Sequence, residues 1–123
     1  MNIVVSNTSG VPIYEQISKA IKNEILSGEL KENSSLPSIR SLASELRVSV
    51  ITTKRAYEEL EREGFIYTLP GKGSYVAEQN KELLIEEKLR EIEEKFSEAL
   101  DIATSIGLEF DELVKILETL KEF

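Results

Sequence analysis

The 123-residue chain contains no cysteine, no histidine and no tryptophan. Without cysteine there are no disulfides, no zinc–thiolate sites and no thiol nucleophile. Without histidine there is no imidazole for acid–base chemistry near neutral pH or for the common transition-metal sites, which leaves only carboxylate binding of hard metals. Long apolar runs are missing too. No window approaches the roughly 20 apolar residues of a membrane span, and MNIVVSNTSG lacks both the basic start and the apolar stretch of a signal peptide. A cytoplasmic protein without membrane contact is the expectation. With four phenylalanines and four tyrosines, the core must be built mainly from Ile, Leu and Val.

What is present is charge, unevenly placed. The chain is 41% hydrophobic and 31% charged, enough to bury a core and stay in solution, and its length suits one domain or a small domain with an appendage. The net charge is −8, but residues 1–77 hold nine Lys+Arg against nine Asp+Glu, whereas residues 78–123 hold six against fourteen. The acidic excess therefore lies wholly in the last third. The first two thirds are neutral and free to present a basic face, so the acidic total does not exclude nucleic acid.

Residues 1–10 are polar and irregular apart from Ile3-Val4-Val5, a strand or a packed arm. Pro12 suits the first turn of a helix over about 12–27, with Ile13, Ile17, Ala20, Ile21 and Ile25 at helical spacing and Gly28 as its stop. After a polar connection, Ser38 is a good N-cap for a second helix carrying Leu42, Ala43 and Leu46. Arg47-Val48-Ser49 is a short break, and Ser49 caps a third helix lined by Ala56, Tyr57 and Leu60 and ended by Gly64. Two short capped helices so closely joined predict a helix-turn-helix. Phe65–Leu69, the turn PGKG and Ser74–Ala77 then read as a hairpin, its glycines supplying positive φ. The expected fold is mainly α with a small β-hairpin: a winged helix-turn-helix over 1–77, with an N-terminal arm over 1–10 and a wing over about 65–77.

Residues 78–123 form a second region. Ile85, Leu89, Ile92, Phe96, Ala99, Ala103 and Ile106 alternate spacings of four and three, an a/d seam held through three heptads and widened by Leu84 and Leu100. Gly107 ends that helix. A last one over about 110–122 carries Phe110, Leu113, Val114, Leu117 and Leu120, with Asp111 and Glu112 where the helix dipole favours acids. This two-helix hairpin has more apolar surface than it can bury alone, which predicts self-association. The expected dimerisation set is Ile85, Leu89, Ile92, Phe96, Leu100, Ala103, Leu113, Leu117 and Leu120.

PGKGS has the look of a phosphate-binding loop but fails the pattern G-x-x-x-x-G-K-[ST] at both ends: Ile66 stands where the first glycine belongs, and Gly73 follows Lys72. The other readings are a plain surface turn or a wing whose lysine meets backbone phosphates from outside. Ser49-Val50-Ile51-Thr52-Thr53-Lys54-Arg55 concentrates hydrogen-bonding and cationic groups at the start of the third helix, whereas Glu58 to Glu63 make its end acidic. That polarity fits end-on docking in a DNA groove; a solvated face with Lys54–Glu58 and Arg55–Glu59 pairs is the plainer alternative. Arg40 stands in the first turn of the second helix, where the dipole disfavours a cation. A backbone phosphate would explain it, as would contact with Glu45 or Glu58. Glu86-Glu87 and Glu93-Glu94 are interleaved with Lys88, Arg90 and Lys95, a solvated face rather than a metal site. Neither a metal nor another cofactor is expected, nor enzymatic activity.

PIYEQISKAIKNEILSGEL, LPSIRSLASELRVS and ITTKRAYEELEREGFIYTLPGKGSYVA together resemble the DNA-binding domain of GntR-type bacterial transcription regulators, without a gap from about Pro12 to Ala77. The short helical tail and RAY in place of the commoner RAL are most similar to the YtrA subfamily. The resemblance implies a homodimer joined through two C-terminal helices, usually a repressor, on double-stranded operator DNA with two inverted half-sites. It also implies frequent control of exporter operons, and it leaves room for an unidentified small-molecule effector. Carried over by position, DNA contacts fall on Ser38, Arg40, Ser49, Val50, Ile51, Thr52, Lys54 and the wing residues Gly71, Lys72 and Gly73; Arg55 joins them by its charge. Val50 stands where many relatives have arginine and Ile51 where a polar residue is common. Apolar side chains touch thymine methyls but do not pair with guanine, so the operator is expected to differ at those base pairs. Thr53, apolar in relatives, should turn its methyl to the core. A winged-helix protein-interaction module without DNA binding is the competing function.

Overall fold

The computed structural model describes residues 1–122, in two compact units that meet in sequence between Asn80 and Lys81. The first unit holds α1 (Ile13–Ser27), α2 (Ile39–Leu46), α3 (Val50–Arg62), β1 (Ile66–Leu69) and β2 (Gly73–Val76). The second holds α4 (Lys81–Ser105) and α5 (Phe110–Lys121).

In the first unit the helix boundaries follow local chemistry. Pro12 lies one residue outside α1 rather than in its first turn: its ψ of 141° is extended, and its carbonyl accepts from the Glu15 and Gln16 amides at 3.1 and 3.2 Å. Gly28 closes α1 at φ 86°, a conformation that favours glycine. Ser38 and Ser49 cap α2 and α3 as their positions require, accepting from the amides of Ser41 and Thr52. Between those helices Arg47 takes the left-handed conformation at φ 57°, and its amide bonds back to Ala43 and Ser44. That one residue makes the turn of the helix-turn-helix.

The core forms where α3 packs on α1 and α2, with Ile17, Ile21, Leu42, Thr53, Ala56, Leu60 and Val76 fully or almost fully buried. Thr53 does face inward, and its hydroxyl is satisfied by the Ser49 carbonyl at 3.1 Å. Lys22 on α1 pairs with Glu63 and lies over the Phe65 ring at 5.4 Å, tying α1 to the end of α3. The N-terminal stretch is a packed arm rather than a strand. Ile3 is buried, and the Gln16 amide donates to the carbonyls of Ser6 and Val11, both at 2.8 Å.

The hairpin pairs Ile66 with Val76, Tyr67 with Tyr75, Thr68 with Ser74 and Leu69 with Gly73. Ile66 and Val76 turn into the core while the tyrosine rings stack at 5.6 Å. Two strands are marginal alone, and the polar connection before α2 makes good the deficit. Asn33, at φ 65°, donates its amide to Val76 O at 2.8 Å; the Val76 amide bonds Ser34 O, and the Leu36 amide bonds Ser74 O, both at 2.9 Å. Segment 33–36 thus runs along the free edge of β2.

In the second unit, α4 and α5 turn back at Gly107, whose φ is 71°, and the Leu108 amide closes on Ala103 O at 2.8 Å. Among the described residues of this unit only Ala103 is buried; Ile85, Leu89, Ile92, Phe96 (51%), Leu100, Leu117 and Leu120 remain exposed. Phe96, Leu100, Phe110, Leu113, Leu117 and Leu120 are among the residues lining an open apolar groove of about 380 Å³. No helix among the described residues is long and apolar enough to cross a membrane.

Candidate nucleic-acid interface

Three parts of the first unit present the residues singled out in the sequence: the start of α2, the start of α3 and the tip of the hairpin. Segment 33–38 holds them in one frame. Its Asn33–Leu36 portion pairs with β2, as described, and Ser38 opens α2. The Pro37 carbonyl between them accepts from the hydroxyl of Tyr57, on α3, at 2.7 Å. One short stretch of chain therefore connects wing, second helix and third helix through hydrogen bonds. In the sequence, Tyr57 reads only as a core residue and the 33–36 stretch only as a polar connection.

Burial pushes the Tyr57 phenol up from 10.0 to about 12. The unfolded chain therefore releases this proton first, and the group's contribution to stability is complete below pH 10 and lost between about 10 and 12. Tyr57→Phe removes the bond and leaves the ring packing, at an expected loss of about 1 kcal/mol near neutral pH. The stability gap between wild type and variant should then narrow above pH 10, read as urea midpoints at pH 8 and pH 11. A gap of constant size would contradict this assignment.

At the start of α3, the Ser49 hydroxyl accepts from the Thr52 amide at 3.0 Å and lies 2.8 Å from Thr52 Oγ1, to which it donates. Ser49 is thereby committed to capping. Thr52, receiving that bond, keeps its own hydroxyl proton for an outside acceptor. Ser38 accepts from the Ser41 amide at 3.1 Å and likewise retains a proton to give. Val50 is half exposed and Ile51 almost fully so.

The cations divide into three kinds. Arg40 is exposed on the first turn of α2, and among the described residues neither Glu45 nor Glu58 comes within salt-bridge distance of it. Lys54 is exposed, with its ammonium 4.0 Å from Glu58, a loose solvent-screened pair easily exchanged for a phosphate. Arg55 does not pair with Glu59, which engages Arg62 instead. Its guanidinium lies 3.8 Å from the centre of the Tyr14 ring, so one planar face is covered while the N–H edges stay available. The sequence does not mark Tyr14, because a stack between α1 and α3 leaves no trace in the periodicity of either.

The hairpin tip is a type II turn. Pro70 sits at its second position, Gly71 at its third with φ 76°, and the Lys72 amide donates to Leu69 O at 2.9 Å. Gly73 follows at φ 109°. A Cβ at either glycine would meet nothing within 4 Å, so these positions need glycine for conformation, not for room. The Tyr75 hydroxyl donates to Lys72 O at 3.2 Å, which steadies the tip behind its ammonium. The result is an exposed cation between two open backbone positions, with no phosphate-loop helix behind it.

Together these groups offer donors and positive charge, the chemistry that binds a phosphodiester backbone. No residue from Leu46 to Tyr57 is acidic.

Comparison with known proteins identifies the family and the fold. The family model described as bacterial regulatory proteins, gntR family, matches residues 13–76. The HTH-type transcriptional repressor YtrA of Bacillus subtilis (strain 168) is 40% identical over 111 residues, covering 90% of this chain and 85% of its own. Among solved structures, a GntR family transcriptional regulator from Listeria monocytogenes matches with a TM-score of 0.74 at 31% identity, covering 90% of this chain and 96% of its own. A transcriptional antiterminator from Listeria monocytogenes EGD-e matches at a TM-score of 0.74 and 34% identity, covering 98% of this chain and 90% of its own. The chain belongs to the gntR family of bacterial regulatory proteins, as a winged-helix, DNA-binding regulator of transcription.

Proposed function

We propose that the protein is a cytoplasmic repressor that binds, as a homodimer joined through α4 and α5, to an operator of two inverted half-sites. The observation that carries the dimer is the apolar face of the second unit, left open from Ile85 to Leu120. A second copy covers such a face on both partners at once, because a two-fold interface uses the same patch twice. Exposed Ile85, Leu89, Ile92, Phe96, Leu100, Leu117 and Leu120 would meet the partner, with half-buried Leu113 and buried Ala103 backing them.

On each half-site Arg40, Lys54, Arg55 and Lys72 would hold phosphates, with the Gly71 and Gly73 backbone close to the strand. Ser38, Ser49 and Thr52 would position the two helix starts, and Val50 and Ile51 would face base edges. Repression by occluding a promoter is what the subfamily resemblance implies, and the likeness to YtrA, a transcriptional repressor, supports repression. A transporter operon is the expected target by the same resemblance.

The volume of the α4–α5 groove also suits a small apolar effector. Dimerisation of the purified protein without any added compound decides for the second copy. Selection of binding sites from random duplex DNA tests the whole reading. The expected product is an inverted pair of short elements at fixed spacing; enrichment of nothing, or of a single unpaired element, would overturn it.

A further inference from the structure

The exposed side chain that fits a solvated helix least well is Ile51, on the first turn of α3. It is 81% exposed, against 45% for its neighbour Val50. A single exposed aliphatic is ordinary, but this one lacks the cover a helix usually provides. The residue four positions on, whose stem would lie over it, is Arg55, and its guanidinium is held over Tyr14 at 3.8 Å. The residue three positions on, Lys54, leans along the helix towards Glu58 at 4.0 Å. Both long side chains are directed elsewhere, and the isoleucine stands clear in a carboxylate-free stretch from Leu46 to Tyr57.

We infer that Ile51 reads the 5-methyl group of one thymine per half-site, an inference that rests on the proposed DNA reading. Of the groups on the major-groove edges of the bases, that methyl is the apolar one. A branched side chain without donor or acceptor gains from covering it and loses against any base edge that leaves a polar group unpaired there. Ile51 would then choose thymine while the surrounding hydroxyls and cations hold the backbone.

The test compares thymine with deoxyuridine, which lacks only the methyl. With the full chain and a site selected from random duplex DNA, each thymine is replaced symmetrically in both half-sites, for wild type and for Ile51→Ala. Covering one methyl-sized group corresponds to about fourfold in affinity, hence roughly fifteenfold for two half-sites. Wild type should lose about that much at one thymine per half-site that Ile51→Ala no longer senses; a further sensitive thymine owed to Val50 would persist in the variant. A uridine profile identical in wild type and Ile51→Ala, a wild type insensitive at every thymine, or a selected half-site without thymine would each overturn the inference while leaving DNA binding intact. Failure to select any DNA would instead remove the reading beneath it.

Discussion

Phe96→Asp should turn a dimer into a monomer at micromolar concentration, measured by sedimentation equilibrium. Phe96 is 51% exposed in the isolated chain and lies on the wall of the groove lined from both α4 and α5. Burying its exposed half contributes about 1 kcal/mol, and enclosing an unpaired carboxylate costs several kcal/mol more. Each change occurs twice across a two-fold interface. The sum, on the order of 6–10 kcal/mol, weakens the dimer by about four decades or more. Because Phe96 is half exposed, the helices should survive, with far-ultraviolet circular dichroism close to wild type. Leu117→Asp, on α5, should do the same. Dimers that persist in both variants would move the interface off this face. Monomers would also lose the joint grip on two half-sites, so operator affinity should fall with dimerisation and not separately from it.

The combined variant Arg40→Ala, Lys72→Ala should flatten the salt dependence of operator binding. In the dimer it removes four phosphate contacts, two per protomer, at about 0.9 in the log–log slope for each. The slope should fall by about 3.6, and the lost counterion release corresponds to about a thousandfold in affinity at 0.15 M salt. Neither side chain has a carboxylate at salt-bridge distance among the described residues, so the loss should be in binding and not in stability. Arg40→Lys should keep most of the slope while losing the guanidinium fork, which separates charge from geometry. An unchanged slope in the combined variant would show that the start of α2 and the wing do not touch DNA.

Much of this architecture was legible because its signals are local. Ser38, Ser49, Gly28, Gly64 and Gly107 mark helix ends by side-chain chemistry or by φ, and each stands where it was expected to act. The heptad spacing from Ile85 to Ile106 is equally local, and α4 covers it almost to its end. The contacts that went unread join residues far apart in sequence: Tyr57 to Pro37, Arg55 to Tyr14, and the Asn33–Leu36 edge to β2. Backbone pairing by 33–36 leaves no hydrophobic alternation to see, and a phenol in a core looks like any other aromatic until its hydroxyl finds a carbonyl. The Arg55–Glu59 pair of the plainer alternative does not form for a related reason: a ring brought in by α1 takes the cation.

For the interface this has a physical meaning. Residues that carry charge and hydrogen bonds to the outside are readable one at a time. The frame that spaces them, segment 33–38 with Tyr57, becomes visible only when the chain has folded.

Hydroxyl-radical footprinting of the wild-type protein on a selected site tests the central claim most directly. A winged-helix dimer predicts two equivalent protected tracts, related by inverted symmetry and separated by about one helical turn or a multiple of it. A single asymmetric tract, or no protection at a concentration where the protein is dimeric, would contradict it.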